Sequence, residues 1–207
     1  MFEVSAAHFR DVNSGPWETA GRTDYRLNID HEGKVIHVTG QGSNQRADWL
    51  DNLDFRRRPK EQWFKGIWVH AGFLRQYLVV RKVLLDVCYD YPDYSIQVDG
   101  FSLGASWTQI FIQDCIHRWP DRDIKGILYA PGNPWRRLPR KYRRALRRCI
   151  VYPYCFWDVV TWMRLIGFKR YGKNIRLGKI WRLWPKQHHP DQIIRALDER
   201  AQRGGNN

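Results

Sequence analysis

The chain has 207 residues, 43% of them hydrophobic and 14% aromatic, so residues 1–207 can bury the core of a single domain. Its formal net charge of +14 favours polyanionic partners. The sequence contains no run of 18 apolar residues, so no membrane span is predicted. Since no charged segment followed by an apolar one opens the sequence, we expect a cytoplasmic protein. Later release without a signal peptide is compatible with this expectation.

The N-terminal residues 1–34 alternate weakly and contain two groups of turn formers, which predicts a hairpin or edge strands. A strand is predicted over residues 34–39, and it ends in a Gly-Gln-Gly-Ser turn that contains Ser43. Residues 47–53 then show a short amphipathic pattern. Its apolar side carries Trp49, Leu50 and Leu53.

The middle of the chain alternates between helical and strand patterns. Apolar residues recur at helical spacing from Phe73 to Val87 and predict a long helix that ends before Pro92. Strands are predicted at residues 94–99, 124–129 and 149–154. Such an alternation predicts a parallel sheet that is covered by helices on both faces.

A G-x-S-x-G motif, Gly100-Phe101-Ser102-Leu103-Gly104, joins the strand at 94–99 to an apolar pattern of helical spacing. A serine at a sharp strand-to-helix turn is exposed in strained geometry, and the flanking glycines allow strand and helix to approach closely. Ser102 is therefore a candidate nucleophile. The competing interpretation is a glycine-rich turn that carries an ordinary hydroxyl group.

Two donors are candidates for an oxyanion hole. The Leu103 N–H lies next to Ser102 at the start of the predicted helix, where the helix dipole favours a developing negative charge. A second donor normally comes from the loop after an early strand, which here contains Ser43. The alternative for Ser43 is a plain turn.

A serine hydroxyl needs a base, and the base needs an orienting carboxylate, in the chain order Ser, acid, His. Asp158 follows a predicted strand and is the candidate acid, although a helix cap or a surface turn would also explain it. Only His188 and His189 lie beyond it, just ahead of a helix that Pro190 opens. The five earlier histidines are expected to be structural, with His70 hydrogen-bonded near the site.

A basic helical segment is predicted at residues 135–148. It contains Arg136, Arg137, Arg140, Lys141, Arg143, Arg144, Arg147 and Arg148. Anionic lipid headgroups and nucleic acid phosphates would both be attracted by such a cluster. The alternative is a basic helix that is merely solvated.

The remaining features are less specific. Loops or a small hairpin are expected over residues 162–184, and a flexible tail at 203–207 follows the closing amphipathic helix. The four cysteines lack C-x-x-C spacing and a nearby histidine pair, so we expect reduced, mostly buried thiols, with no metal site and no cofactor.

Several separated motifs, in this order, resemble the class 3 (fungal-type) lipase family over residues 34–197. They are Gly42-Ser43, Asp48-Trp49-Leu50-Asp51-Asn52-Leu53, Val69-His70-Ala71-Gly72-Phe73, Tyr91-Pro92, Gly100-Phe101-Ser102-Leu103-Gly104-Ala105 and Trp157-Asp158-Val159-Val160. The resemblance implies an α/β-hydrolase fold, with a mostly parallel sheet and helices on both faces, and hydrolysis of carboxylic esters of lipids. It also implies Ser102 as nucleophile, Asp158 as acid, His188 or His189 as base, and Ser43 with Leu103 as the oxyanion hole.

The resemblance also bears on details of the site. The family histidine stands five residues before an aromatic residue on the closing helix, and His188 stands five before Ile193, which favours it over His189. Residues 44–53 match the position of the family lid. The chain departs from the family at Phe101, where a histidine is usual, at Ala105, where a second glycine is usual, and in the turn at residues 131–134.

Two functions of different classes follow. The first is a serine ester hydrolase of lipase or phospholipase type that forms an acyl-enzyme, with the basic cluster holding it on anionic lipid. Thioester or peptide acyl donors are a variant of this chemistry. The second is a non-catalytic basic protein on a hydrolase scaffold, with nucleic acid or membrane as partner and Trp and Tyr side chains as stacking platforms. The serine, acid and histidine favour the first.

Overall fold

A computed structural model describes residues 4–41, 57–59, 66–154, 167–177 and 189–204. Within these ranges the helices are α1 (Ala6–Val12), α2 (Ala71–Asp90), α3 (Ser102–Arg118), α4 (Arg140–Cys149) and α5 (Pro190–Gly204). The strands are β1 (Glu18–Ala20), β2 (Thr23–Asp30), β3 (Val35–Gly40), β4 (Arg57–Pro59), β5 (Trp68–His70), β6 (Ser95–Phe101), β7 (Ile124–Tyr129), β8 (Trp135–Arg137), β9 (Ile150–Tyr154) and β10 (Lys173–Arg176). The predicted Ser43, Asp158, His188 and lid 44–53 lie outside the described residues.

The main sheet has seven described strands in the order β1-β2-β3-β6-β7-β9-β10. Strands β3, β6, β7, β9 and β10 are parallel to one another, whereas β1 and β2 form an antiparallel hairpin at the edge. The predicted parallel sheet and N-terminal hairpin are thus confirmed. A second, antiparallel sheet of β4, β5 and β8 was not predicted. The predicted basic helical segment 135–148 was wrong at its start, because residues 135–137 form β8 and the helix begins only at Arg140, after Pro139, which disfavours helical geometry in the residue before it.

Two apolar cores lie on opposite faces of the main sheet, because successive side chains of a strand point to opposite sides. On β6, Ile96 and Val98 join the core that contains α2, α3 and the buried side of α4. Phe101 joins the other core, which contains α1 and α5. The helices therefore cover both faces, as predicted.

Helix α1 was missed, since residues 1–34 were interpreted as hairpin or edge strands. The signal was local: the Ser5 side chain accepts a hydrogen bond from His8 N and caps the helix. Phe9, at the centre of α1, is fully buried in the second core. A seven-residue helix has too few turns for apolar periodicity to stand out against strand alternation.

The prediction for residues 162–184 was wrong in one respect. Residues 173–176 form β10, which pairs in parallel with β9 and is not part of a local hairpin. Three of its four residues are exposed, so the buried apolar alternation that announces a strand is absent. The helix α5 also continues through Gly204, so the tail begins later than residue 203.

A buried carboxylate joins α2 to α3. Asp114 accepts hydrogen bonds from the Tyr77 hydroxyl at 2.6 Å and from Arg81 Nε at 2.9 Å. Burial, with the Asp114 charge beside it, raises the pKa of Tyr77, which keeps the phenol in its donating form. This contact fixes α3, whose residues from Ser102 to Cys115 are all buried.

The cysteines of the described ranges have the predicted character. Cys88 and Cys115 are buried, Cys149 is partly buried, and all three are free thiols. Burial raises the pKa of Cys149 to about 12, so this thiol is a poor nucleophile at neutral pH. Among the helices described, none has the combination of length and apolarity that crossing a membrane requires.

Candidate active site

Ser102 lies at the junction between β6, which ends at Phe101, and α3, of which it is the first residue. Its φ is +54°, in the left-handed region that side chains other than glycine rarely adopt. The strand before it and the helix after it are those the sequence predicted. A serine held in such a conformation at a buried turn is strained, and the surrounding structure must enforce it.

Gly40 and Gly104 permit the backbone contact that enforces this turn. A Cβ on Gly104 would lie 2.1 Å from the Gly40 carbonyl oxygen and 2.5 Å from that of Gln41, so only glycine fits. A Cβ on Gly100 would in turn lie 2.9 Å from Ala105 N. The first turn of α3 therefore packs directly against the end of β3, from which the chain leads toward Ser43.

Ser106 holds the loop after β7 against the strand-to-helix turn at Ser102, which we call the elbow. Its hydroxyl donates to the Ser102 carbonyl oxygen at 2.7 Å and accepts from Gly132 N at 2.7 Å. Gln109 Nε2 donates to the Gly132 carbonyl oxygen at 3.0 Å. These bonds join residues 131–134, where the chain departs from the family turn, to the backbone of the candidate nucleophile.

Tyr152 extends the same network to β9. Its hydroxyl donates to Gln109 Oε1 at 2.8 Å, which completes the pairing of the buried amide group. Burial raises the pKa of Tyr152, so the hydroxyl remains a donor. The network therefore connects α3, the loop at 131–134 and β9.

We predict that Ser106→Ala lowers the free energy of unfolding by about 1–3 kcal/mol, because it leaves the buried Gly132 N–H without its partner. The matched control is Thr108→Val, which removes a hydrogen bond within α3, from the Thr108 hydroxyl to the Gly104 carbonyl oxygen at 2.9 Å. It should lower the free energy of unfolding by less than about 1 kcal/mol. Urea unfolding of both variants measures the difference. Equal losses would show that the loop contact contributes nothing.

Helix α1 packs against β6, the strand that ends at the elbow. The sequence did not predict this contact. Phe9 packs edge-on against Phe101, with ring centroids 5.4 Å apart. His8 Nε2 lies 3.4 Å from Asp99 Oδ1, and His8 Nδ1 lies 2.8 Å from the Tyr129 hydroxyl. These partners are far apart in the sequence, so no local signal could have joined them.

Three other predicted residues have described positions. Leu103 is the second residue of α3, so its N–H has no acceptor within the helix. His189 stands before α5, with its side chain 65% exposed and its Nδ1 accepting from Asp191 N at 3.4 Å. His70 caps α2 by accepting from Phe73 N and is fully buried, which gives it a structural role.

The chain is similar to known lipases. The model of the class 3 lipase family matches residues 37–147, more than half of the chain. The curated relative "Lipase" of Rhizomucor miehei is 30% identical over 106 residues, which make up 49% of this chain and 29% of that protein. The chain thus spans less than a third of this relative.

Two solved structures show the fold. A triacylglycerol lipase from Penicillium expansum is 18% identical, with a TM-score of 0.61 over 83% of this chain and 80% of that one. A triacylglycerol lipase described as having a serine protease triad at its catalytic centre is 18% identical, with a TM-score of 0.63 over 79% of this chain and 66% of that one. The fold described above is therefore that of the α/β-hydrolase lipases.

Proposed function

Because the chain belongs to the class 3 lipase family, we propose that it hydrolyses carboxylic esters of lipids with Ser102 as its nucleophile. The observation that carries this proposal is the left-handed φ of +54° at Ser102, at the junction of a parallel strand and a buried helix. A merely structural serine gains nothing from such strain, whereas a nucleophile gains an oxygen that is held beside the N-terminus of a helix, where the helix dipole favours a developing negative charge.

In the proposed mechanism, the Ser102 hydroxyl oxygen attacks the ester carbonyl carbon while a histidine takes its proton. The negative charge moves to the carbonyl oxygen, where the Leu103 N–H and Ser43 stabilise it. The carbon–oxygen bond to the alcohol then breaks, and the histidine protonates the leaving alcohol. Water repeats these steps on the acyl-enzyme and releases the acid. Asp158 orients the histidine.

The substrate range within this proposal includes triacylglycerols and phospholipids, since lipase and phospholipase chemistry use the same steps. A stopped-flow reaction with p-nitrophenyl butyrate tests the acyl-enzyme directly. A burst of p-nitrophenol, about one equivalent per active site, is expected if deacylation is slower than acylation. Absence of both burst and steady-state hydrolysis, also with emulsified triacylglycerol and phospholipid vesicles, would reject the proposed function.

We propose His188 as the base, and we predict a large difference between the two adjacent histidines. His188→Ala should lower kcat for p-nitrophenyl butyrate by about 10⁴-fold or more, since the serine loses its base. His189→Ala is the matched control and should stay within a few-fold, because its ring is exposed and contacts Asp191 at the start of α5. The reverse order of the two effects would assign the base to His189.

A further inference from the structure

Helix α4 presents a basic arc to solvent. At 100° per residue, its exposed side chains fall within about 120° of the helix circumference. They are Arg140, Lys141, Arg144, Arg147 and Arg148. The opposite side of the helix carries Tyr142 and Leu146, which are buried in the core. With the exposed Arg137 of β8, these five residues form what we term the α4 basic surface.

The part of the protein that the structure describes does little to neutralise this surface. Residues 124–157 contain no Asp or Glu. In the described ranges, no carboxylate lies within ion-pair distance of Arg140, Arg144, Arg147 or Arg148, whereas Arg195 of α5 has Glu199 at 3.0 Å. The pairs at i and i+4 within α4, such as Arg140 with Arg144, repel each other and destabilise the isolated helix. An external anion would remove this repulsion.

The α4 basic surface is separate from the reaction site. Tyr142 in the first turn of α4 lies with its hydroxyl 2.9 Å from Nδ1 of His117, at the end of α3. Ser102 is at the other end of α3, 15 residues earlier, which corresponds to about 22 Å along the helix axis. Because α4 packs at the His117 end of α3, an anion bound on the exposed side of α4 leaves Ser102 unobstructed.

We infer that the α4 basic surface docks the protein on membranes that contain anionic phospholipids. Five of its six residues are arginine, whose planar guanidinium binds phosphate oxygens in bidentate fashion. Since the large apolar residues of α4, Tyr142 and Leu146, are buried, docking is electrostatic and superficial, without insertion into the acyl region. This inference rests on the proposed function, because an enzyme that cleaves lipid esters must meet its substrate at an aggregated surface.

Nucleic acid is the weaker partner for this surface. Proteins that bind single strands without sequence preference combine basic grooves with exposed aromatic rings on which bases stack. The aromatic residues interleaved with this cluster are instead buried: Trp135 is 0% exposed and Tyr142 is 3% exposed. Neither of these two described rings can therefore serve as a stacking platform, and phosphate recognition remains.

Sedimentation with vesicles tests the inference in the inactive Ser102→Ala background, so that binding is measured without hydrolysis. The test variant adds R140Q, R144Q and R147Q, and the matched control adds K34Q, K173Q and R200Q, which remove the same charge from exposed positions elsewhere. Glutamine keeps the helix propensity of arginine. Each basic residue near an anionic membrane raises partitioning roughly fivefold, so we expect about 100-fold weaker binding of phosphatidylglycerol vesicles by the test variant.

The control variant should bind phosphatidylglycerol vesicles as tightly as the parent does. Neither variant should bind phosphatidylcholine vesicles. Equal binding by test and control variants would overturn the inference, as would tighter binding of a DNA duplex than of phosphatidylglycerol at equal phosphate concentration. Hydrolysis of soluble p-nitrophenyl butyrate, measured with Ser102 restored, should be the same in test and control variants. A protein that binds vesicles but hydrolyses no ester would refute the proposed function and not the docking surface.

Discussion

Replacing Ser102 with alanine is expected to lower kcat for p-nitrophenyl butyrate by about 10⁶-fold, because the reaction loses its nucleophile and the histidine loses its proton donor. Ser95→Ala is the matched control. Ser95 lies at the far end of the same strand, where its hydroxyl donates to the Lys34 carbonyl at 3.4 Å, so activity should stay within twofold. Measurable turnover by Ser102→Ala, at more than a thousandth of the parent rate, would contradict the assignment.

The same position links activity to stability. Because φ at Ser102 is +54°, glycine should relieve strain that alanine retains. We expect both variants to be inactive and Ser102→Gly to be more stable than Ser102→Ala by about 1 kcal/mol. Thermal unfolding of the two proteins measures this difference. A more stable alanine variant would mean that the elbow is not strained in the folded protein.

The largest effect on stability is expected from Gly104→Ala. The new Cβ would lie 2.1 Å from the Gly40 oxygen and 2.5 Å from the Gln41 oxygen, and both are backbone atoms that cannot move away as a side chain would. The parallel sheet and α3 would have to separate. We therefore expect a loss of about 4 kcal/mol or more in the free energy of unfolding, enough to leave much of the protein unfolded.

Gly66→Ala is the matched control for that substitution. Gly66 has a φ of +88° but nothing lies within 4 Å of its Cβ position, so only conformational strain is added. About 1–2 kcal/mol of destabilisation is expected there. If urea unfolding gave Gly104→Ala the smaller loss of the two, the close contact between β3 and α3 would not exist in solution.

The sequence allowed prediction of those parts of the fold whose signals are local and repeated. Periodicity predicted α2, and strand alternation followed by a helical pattern predicted the junction at Ser102. Helix α1 has too few turns to show a period, and β10 lies at a sheet edge where most of its residues are exposed. Tertiary pairing, not local propensity, makes those two segments regular.

The sequence predicted the type of candidate site but not the contacts that hold its residues in place. The glycines of the motif indicated a close backbone approach, yet the partner of Gly104 is Gly40, at the end of a different strand. The bonds of Ser106 to both Ser102 and Gly132 involve residue types that occur anywhere in a helix. Such contacts depend on how the elements pack, which single-sequence patterns do not encode.

The central claim is that Ser102 is an activated nucleophile, and covalent labelling tests it most directly. The intact protein and its Ser102→Ala variant would be treated with a fluorescent alkylphosphonate, in buffer and with detergent, and the adduct mapped by mass spectrometry. The account predicts one adduct, on Ser102, that is absent from the variant. A folded protein that formed no adduct under either condition, or formed it on another residue, would contradict the account.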